Sequence, residues 1–322
     1  MKFICHAVSE IPENELIMPL PIHNTLHLDC KQGAVRAVRF NVDGNYSLTC
    51  GSDKTLKLWN PFTGTLLQSY SGHGYEVLDA QGSCDNAQIA SGGMDKLIFL
   101  WDVAKSVAVR KFRGHAGQVN AVKFNEESSV ILSASLDCTV RAWDCRSHSR
   151  DPIQIMDEAK DNVTSLHVSD HEILTGSLDQ HVRRYDLRKG EMYSDHLGKS
   201  VTCVNFTKDG QCILVSCLDN TLKLLDKETG EMLAEYTGHK NEEYRIDSCL
   251  NENDDHLFSG SEDGIIYCWD LVESNIKAKL SHVGKVVHSV SSHPSKPCLI
   301  SATKNLVYVW EDTPREEEKD DS

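Results

Sequence analysis

No apolar run in the 322-residue sequence approaches the roughly 18 residues that a membrane-spanning helix needs, and the stretch Phe3–Ala7 is too short for the hydrophobic region of a signal peptide. A soluble chain is expected. Among 12 cysteines, from Cys5 to Cys298, no Cys-x-x-Cys pair occurs, and 15 histidines show no metal-ligand spacing. Zinc and a disulfide framework are therefore not expected, and the cysteines read as reduced thiols serving as small apolar residues. The Asn-x-Ser/Thr triplets at Asn45, Asn162 and Asn205 are then incidental. Neither a Walker loop nor a dinucleotide glycine fingerprint is present, so no cofactor is expected. Basic residues are also scarce: 33 Lys and Arg stand against 48 Asp and Glu, a net charge of −15 with a pI near 5.4. That balance opposes binding by phosphate neutralisation, and direct contact with nucleic acid is not expected.

What the sequence has is a repeat. Trp59, Trp101, Trp143, Tyr185, Leu225, Trp269 and Trp310 are separated by 42, 42, 42, 40, 44 and 41 residues, and an aspartate precedes the first six by six positions, at Asp53, Asp95, Asp137, Asp179, Asp219 and Asp263. Length alone would suggest about two domains, but seven units of this period consume nearly the whole chain as one ring. The third unit shows the internal plan: an alternating segment from Val119 to Phe124, an apolar run Val130–Ala134, a turn through Asp137, a strand Thr139–Trp143, and a polar strand from Pro152 to Met156. Four short strands per unit predict an all-β, seven-bladed propeller.

Three units repeat a fuller polar set: His73, Ser91, Asp95, Trp101; His115, Ser133, Asp137, Trp143; and His239, Ser259, Asp263, Trp269. Serine, histidine and aspartate invite a hydrolase reading, since together they activate a hydroxyl nucleophile. A catalytic site is built once, however, and this set recurs three times at matching places. It is read as a structural quartet running from Asp through His and Ser to Trp, tying the loop before the first strand to the turn before the third. The seventh unit, with Lys304 six residues before Trp310, is expected to lack it. No catalytic residue is assigned, and the chain is expected not to be an enzyme.

These units resemble the WD-repeat propeller family, through Gly72-His73 to Trp101-Asp102, Gly114-His115 to Trp143-Asp144 and Gly238-His239 to Trp269-Asp270. The longer segments Ala34–Phe40, Gly51–Asn60, Ser71–Asp79 and Val168–Glu172 are similar to a branch of that family. The resemblance implies a non-enzymatic scaffold that assembles kinases of the mitogen-activated protein kinase (ERK) cascade, takes part in pre-mRNA splicing complexes, and resides in cytoplasm and nucleus. Its implied partners are kinase-cascade components and spliceosomal proteins, bound by a monomeric propeller within larger complexes.

Further expectations concern the ends and the faces. Residues 1–23 read as an extension, 24–311 as the propeller and 312–322 as an acidic disordered tail; Thr25–Leu28 resembles a fourth strand and is expected to complete the last blade. The residue before the turn aspartate is apolar in four consecutive units, at Met94, Leu136, Leu178 and Leu218, where turns are usually polar. With Arg36, Glu76, Leu78 and Arg245 near the starts of first strands, this arc is the expected protein-binding face. A competing reading comes from Trp143-Asp144-Cys145-Arg146 and Tyr185-Asp186-Leu187-Arg188, a Trp-Asp-x-Arg pattern that resembles substrate receptors of cullin-RING ubiquitin ligases, with Arg146 and Arg188 as adaptor contacts.

Overall fold

The computed structural model describes residues 20–147, 149–282 and 285–313. Among them are 28 strands in seven antiparallel sheets of four. Blade one comprises β2 (Val35–Phe40), β3 (Ser47–Gly51), β4 (Thr55–Asn60) and β5 (Thr65–Ser71), and each later blade repeats that order outward from a central channel. The seven-bladed propeller read from the repeat is the fold observed.

Residue type follows radial position. The second strands β3 and β27 (Cys298–Thr303) are buried throughout and built of small and branched residues, as strands covered on both faces must be. Outer strands alternate, and all but that of blade four carry one buried plug near the end: Tyr70, Phe112 and Tyr236 lie 5.7, 5.5 and 6.4 Å from the Trp101, Trp143 and Trp269 rings of the next blade. The tryptophan therefore recurs because it fills the wedge between consecutive blades, where Trp101, Trp143 and Trp269 are essentially buried. Burial also lifts the Cys30 and Cys217 thiols to about 12, consistent with their packing as small apolar groups.

Around the channel, the first strands are joined by side chains that bond the backbone of the next blade. Asp79 accepts from Val122 N at 3.1 Å and Gln81 from Phe124 N at 2.7 Å, joining blades two and three. Asn120 Nδ2 donates to Val163 O, Thr164 Oγ1 to Val201 O and Asn205 Nδ2 to Ser248 O, each at 2.8 Å. Ser289 Oγ donates to Asp247 at 2.8 Å and accepts from Val38 N at 3.1 Å, while Arg39 reaches Asp79 at 3.0 Å. All seven interfaces are thus bridged, so inter-blade contacts do not rest on apolar packing alone.

The ring closes as expected. Strand β1 (His23–Asp29) pairs antiparallel with β28 (Leu306–Glu311), so blade seven is made from both ends of the propeller. This strand begins at His23, and Leu28 fills the plug position, packed in one cluster with Val307, Val309 and Trp59. Phe3–Ala7, most of the 1–23 extension and the acidic tail beyond Thr313 lie outside the described residues.

Candidate protein-binding face at the channel mouth

The turn between second and third strands is alike in blade after blade. The residue before the aspartate donates its backbone N–H to the loop leading into the first strand: Met94 to Glu76 O, Leu136 to Gln118 O, Leu178 to Asn162 O and Leu218 to Ser200 O, each at 2.9 Å. The residue after the aspartate has positive φ, as at Lys96 (66°), Cys138 (65°), Gln180 (72°) and Asn220 (64°). That backbone is left-handed, which shape and side chain at this position must tolerate. The shared geometry sets the four apolar side chains on one end of the ring.

A second device supplies the rest of the face. Six of the seven first strands contain a register shift at their second residue, which leaves Arg36, Leu78, Asn120, Thr164, Thr202 and His288 unpaired in the ladder. A bulge re-aims the side chain it carries, and all six line one cavity of about 380 Å³ at the channel mouth. Met94, Leu178 and Leu218 line it as well, together with Glu76, Arg245 and Tyr244. Seven of the eight residues expected on the face thus meet in one place. Leu136 does not: it is 47% exposed and stands outside the cavity, against Gly117. Met94 is 41% exposed, whereas Leu178 and Leu218 are half-buried rather than free at turn tips.

Most charges of this face are matched within the chain; exposed Glu243 has no ion pair among the described residues. Arg36 Nε lies 2.8 Å from Glu76, and Arg245 donates to Asn120 O at 2.5 Å across the mouth while standing 3.7 Å from Asp247. What remains for a partner is Glu243 and the apolar rim of Leu78, Met94, Leu178 and Leu218 with Tyr244, a rim whose desolvation costs little.

Beneath the face, the quartets are complete in two blades. His73 Nδ1 is 2.9 Å from Asp95 and Nε2 is 2.8 Å from Ser91, which accepts from Trp101 Nε1 at 2.8 Å. In the next blade the distances are 2.9 Å from His115 to Asp137, 2.8 Å to Ser133 and 2.9 Å from Trp143 to Ser133. Burial raises the Asp95 and Asp137 carboxyls, but the histidine bond and charge, with the Gly74 or Ala116 N–H, pull both below the ordinary carboxylate range. Each serine hydroxyl receives the tryptophan N–H and is buried, a structural tie with no room for a substrate.

Blade six corrects the expectation. Both nitrogens of buried His239 lack a hydrogen-bond partner among the described residues, Ser259 Oγ donates to Gly260 O, Trp269 Nε1 donates to Thr237 O, and Asp263 accepts from Tyr267 OH at 2.8 Å. Burial lowers His239 to about 4 despite Asp263 and Asp219 nearby. Blade seven retains more than expected: His282 Nε2 is 3.0 Å from Ser301, which accepts from Trp310 at 2.9 Å. Its turn is one residue shorter, so Lys304 occupies the positive-φ place (39°) and the aspartate is missing altogether. In blade one, Gln32 replaces the histidine, accepting from Thr49 Oγ1 at 2.6 Å while Trp59 donates to Thr49 at 2.9 Å. A hydroxyl ten residues before Trp59 signalled that tie; glutamine for histidine hid it. In blade four Arg183 takes over, 2.7 Å from Asp179 and 2.9 Å from Ser177.

Asp144 accepts from the Arg146 N–H at 2.7 Å and Asp186 from that of Arg188 at 2.9 Å, the same turn-capping bond that Asp226 and Asp270 make in later blades. The arginine side chains are exposed. One cluster, His171, Glu172 and Asp186, brings ligand-type atoms within 4.8 Å. Glu172 is already neutralised by Arg184 at 2.5 Å and Lys227 at 2.9 Å, which marks a salt-bridge network and not a metal centre.

With this geometry in view, comparison with known proteins decides the family. WD domain, G-beta repeat matches residues 23–60, 64–102 and 106–144, and the anaphase-promoting complex subunit 4 WD40 domain matches 173–255. WD repeat domain-containing protein 83 of Homo sapiens is 67% identical over 299 residues, 93% of this chain and 95% of that protein. The chain belongs to this WD-repeat family. The Danio rerio protein of the same name is 63% identical over 304 residues, covering 94% and 96%, and the Dictyostelium discoideum homolog is 35% identical over 308, covering 87% and 95%. A WD-repeat propeller of this kind fits a protein-interaction scaffold.

Proposed function

We propose that this chain is a non-enzymatic scaffold that holds partner proteins on the channel-mouth face. The observation that carries the reading is the convergence of six bulge side chains with Met94, Leu178 and Leu218 on one cavity whose arginines are internally paired. In line with the resemblance, its partners are components of the mitogen-activated protein kinase cascade and spliceosomal proteins, met in cytoplasm and nucleus. The test is affinity purification from both fractions with wild type and the Met94→Glu, Leu178→Glu double variant. Two carboxylates in a desolvated contact cost several-fold in recovery at the least. The variant loses most of its principal partner at an unchanged melting temperature; full recovery by a stably folded variant defeats the reading.

A second reading, a substrate receptor of a cullin-RING ligase, is favoured by the exposed Arg146 and Arg188, which have no salt bridge among the described residues. Enrichment of a ligase adaptor that is lost in Arg146→Ala, Arg188→Ala would favour it over the first.

A further inference from the structure

Farther along the first strands lies a second cavity of about 180 Å³, walled by all seven blades. Its charged lining consists of Arg39, Asp79, Lys123, Arg245 and Asp247. Arg39 stands 3.0 Å from Asp79 and 2.8 Å from Asp247, and Arg245 is 3.7 Å from Asp247. Two carboxylates are thus shared by two guanidinium groups. Lys123 is left without a carboxylate at ion-pair distance among the described residues, and burial pulls its ammonium below the ordinary lysine range although Asp79 partly offsets this.

Among the described residues, three further donor groups open onto the same cavity without a hydrogen-bond partner, Ser165 Oγ, His167 Nδ1 and Arg245 Nε, each buried, while Asp79 Oδ1, also without a hydrogen bond, is held by its ion pair with Arg39. All three can donate, the imidazole through its Nδ1–H tautomer. His167 remains neutral, held near 3 by burial and by Lys123. An unmatched cation ringed by unmet donors is unfavourable in a protein interior until acceptors with negative charge are supplied. Water can accept the hydrogen bonds but cannot neutralise the charge.

We propose that this channel cavity binds one small oxyanion of the phosphate or sulfate class, anchored on Lys123 and hydrogen-bonded by Ser165, His167 and Arg245. Arg245 lines both this cavity and the mouth, where it donates to Asn120 O. The anion therefore fixes the guanidinium that spans the floor of the partner-binding face, a role independent of which protein docks there.

The test is equilibrium dialysis of the full chain with radiolabelled inorganic phosphate at constant ionic strength held with sodium chloride. Saturable binding of one phosphate per chain is expected, with competition by sulfate. Lys123→Met keeps the stem and removes the charge, and weakens binding by roughly tenfold or more; Ser165→Ala weakens it by about threefold to tenfold. Phosphate and sulfate stabilise most proteins by exclusion from their surfaces, so melting is used only to show that variants are folded. Absence of saturable binding, or equal affinity in wild type and Lys123→Met, overturns the assignment. Should Lys123→Met fail to fold, unchanged affinity in Ser165→Ala overturns it instead.

Discussion

Blades three and six carry the same four residue types at motif positions, yet only blade three connects them. His115 and Asp137 are 22 residues apart; His239 and Asp263 are 24 apart, and the two added residues belong to the loop whose N–H groups at Glu242, Glu243 and Tyr244 all donate to Glu262. The neighbour on the third strand differs too. Arg141 stays 3.7 Å from Asp137 and leaves it to His115, whereas Tyr267 donates directly to Asp263. In blade six the neighbouring tyrosine thus takes the carboxylate oxygen that the histidine holds in blade three, where Thr139 occupies only the other oxygen.

The comparison presupposes a ring that holds both blades, and the largest effect comes from breaking it. Deletion of residues 1–30 removes β1 with its plug Leu28, exposes the edge of β28, and should lower the melting temperature on the order of 10 °C or more, while deletion of 1–22 keeps β1 and leaves it nearly unchanged. Equal melting temperatures in the two truncations would remove the closing role of β1. Next in size, Asp137→Ala leaves His115 and the Ala116 N–H unmet and should cost about 1 to 3 kcal/mol in urea unfolding. Asp263→Ala should cost less than about 1 kcal/mol, because it frees only a tyrosine hydroxyl and the Ile265 N–H at a turn. Similar losses at both sites would erase the difference between the blades.

The two blades also separate by pH. His239 is lowered to about 4 by burial, and His282 likewise. An unfolded histidine near 6.5 binds more protons than the folded one throughout that window, so this contribution is fully present above about pH 6.5 and is lost as pH falls toward 4. Asp95 and Asp137 are lowered carboxyls, so theirs is present above the unfolded value of about 3.9 and is lost only as pH falls below it. Denaturation curves from pH 7.5 to 3 should show an upper slope that His239→Phe reduces and a lower limb that Asp137→Ala reduces. An upper slope unmoved by His239→Phe contradicts the assignment.

Much of this was legible in the sequence because the repeat makes each blade a copy of the same problem. Tryptophan spacing gave the blade count, and the strand-like Thr25–Leu28 ahead of the first unit gave the closure. The face was legible in part: bulge positions recur at one offset, but nothing in Leu136 distinguishes it from Leu178, because only the packed ring decides which turn leans over the mouth. The quartets failed where partners compete. Substitution by function rather than identity, Gln32 for a histidine and Arg183 for a whole network, leaves no trace in a search for fixed letters. The shortened turn at Lys304 misled for a simpler reason, since counting back from Trp310 assumes a constant turn length.

The smallest and most discriminating expectation concerns the orphan imidazole itself. His239 stacks edge-on to Trp269, with ring centroids 5.4 Å apart, and gains nothing from either nitrogen. Phenylalanine keeps the ring, the edge-to-face contact and the burial while removing two polar atoms that would otherwise forgo water without compensation. At pH 7.5, His239→Phe should therefore lie between neutral and about 1 kcal/mol more stable. The same change at His115 removes bonds to Asp137 and Ser133 and leaves both buried partners unmet, so it should cost about 1 to 3 kcal/mol. Urea midpoints of the two variants, compared with one wild type, decide the matter. A loss of similar size at His239 would mean that blade six, like blade three, holds its histidine through the quartet in solution.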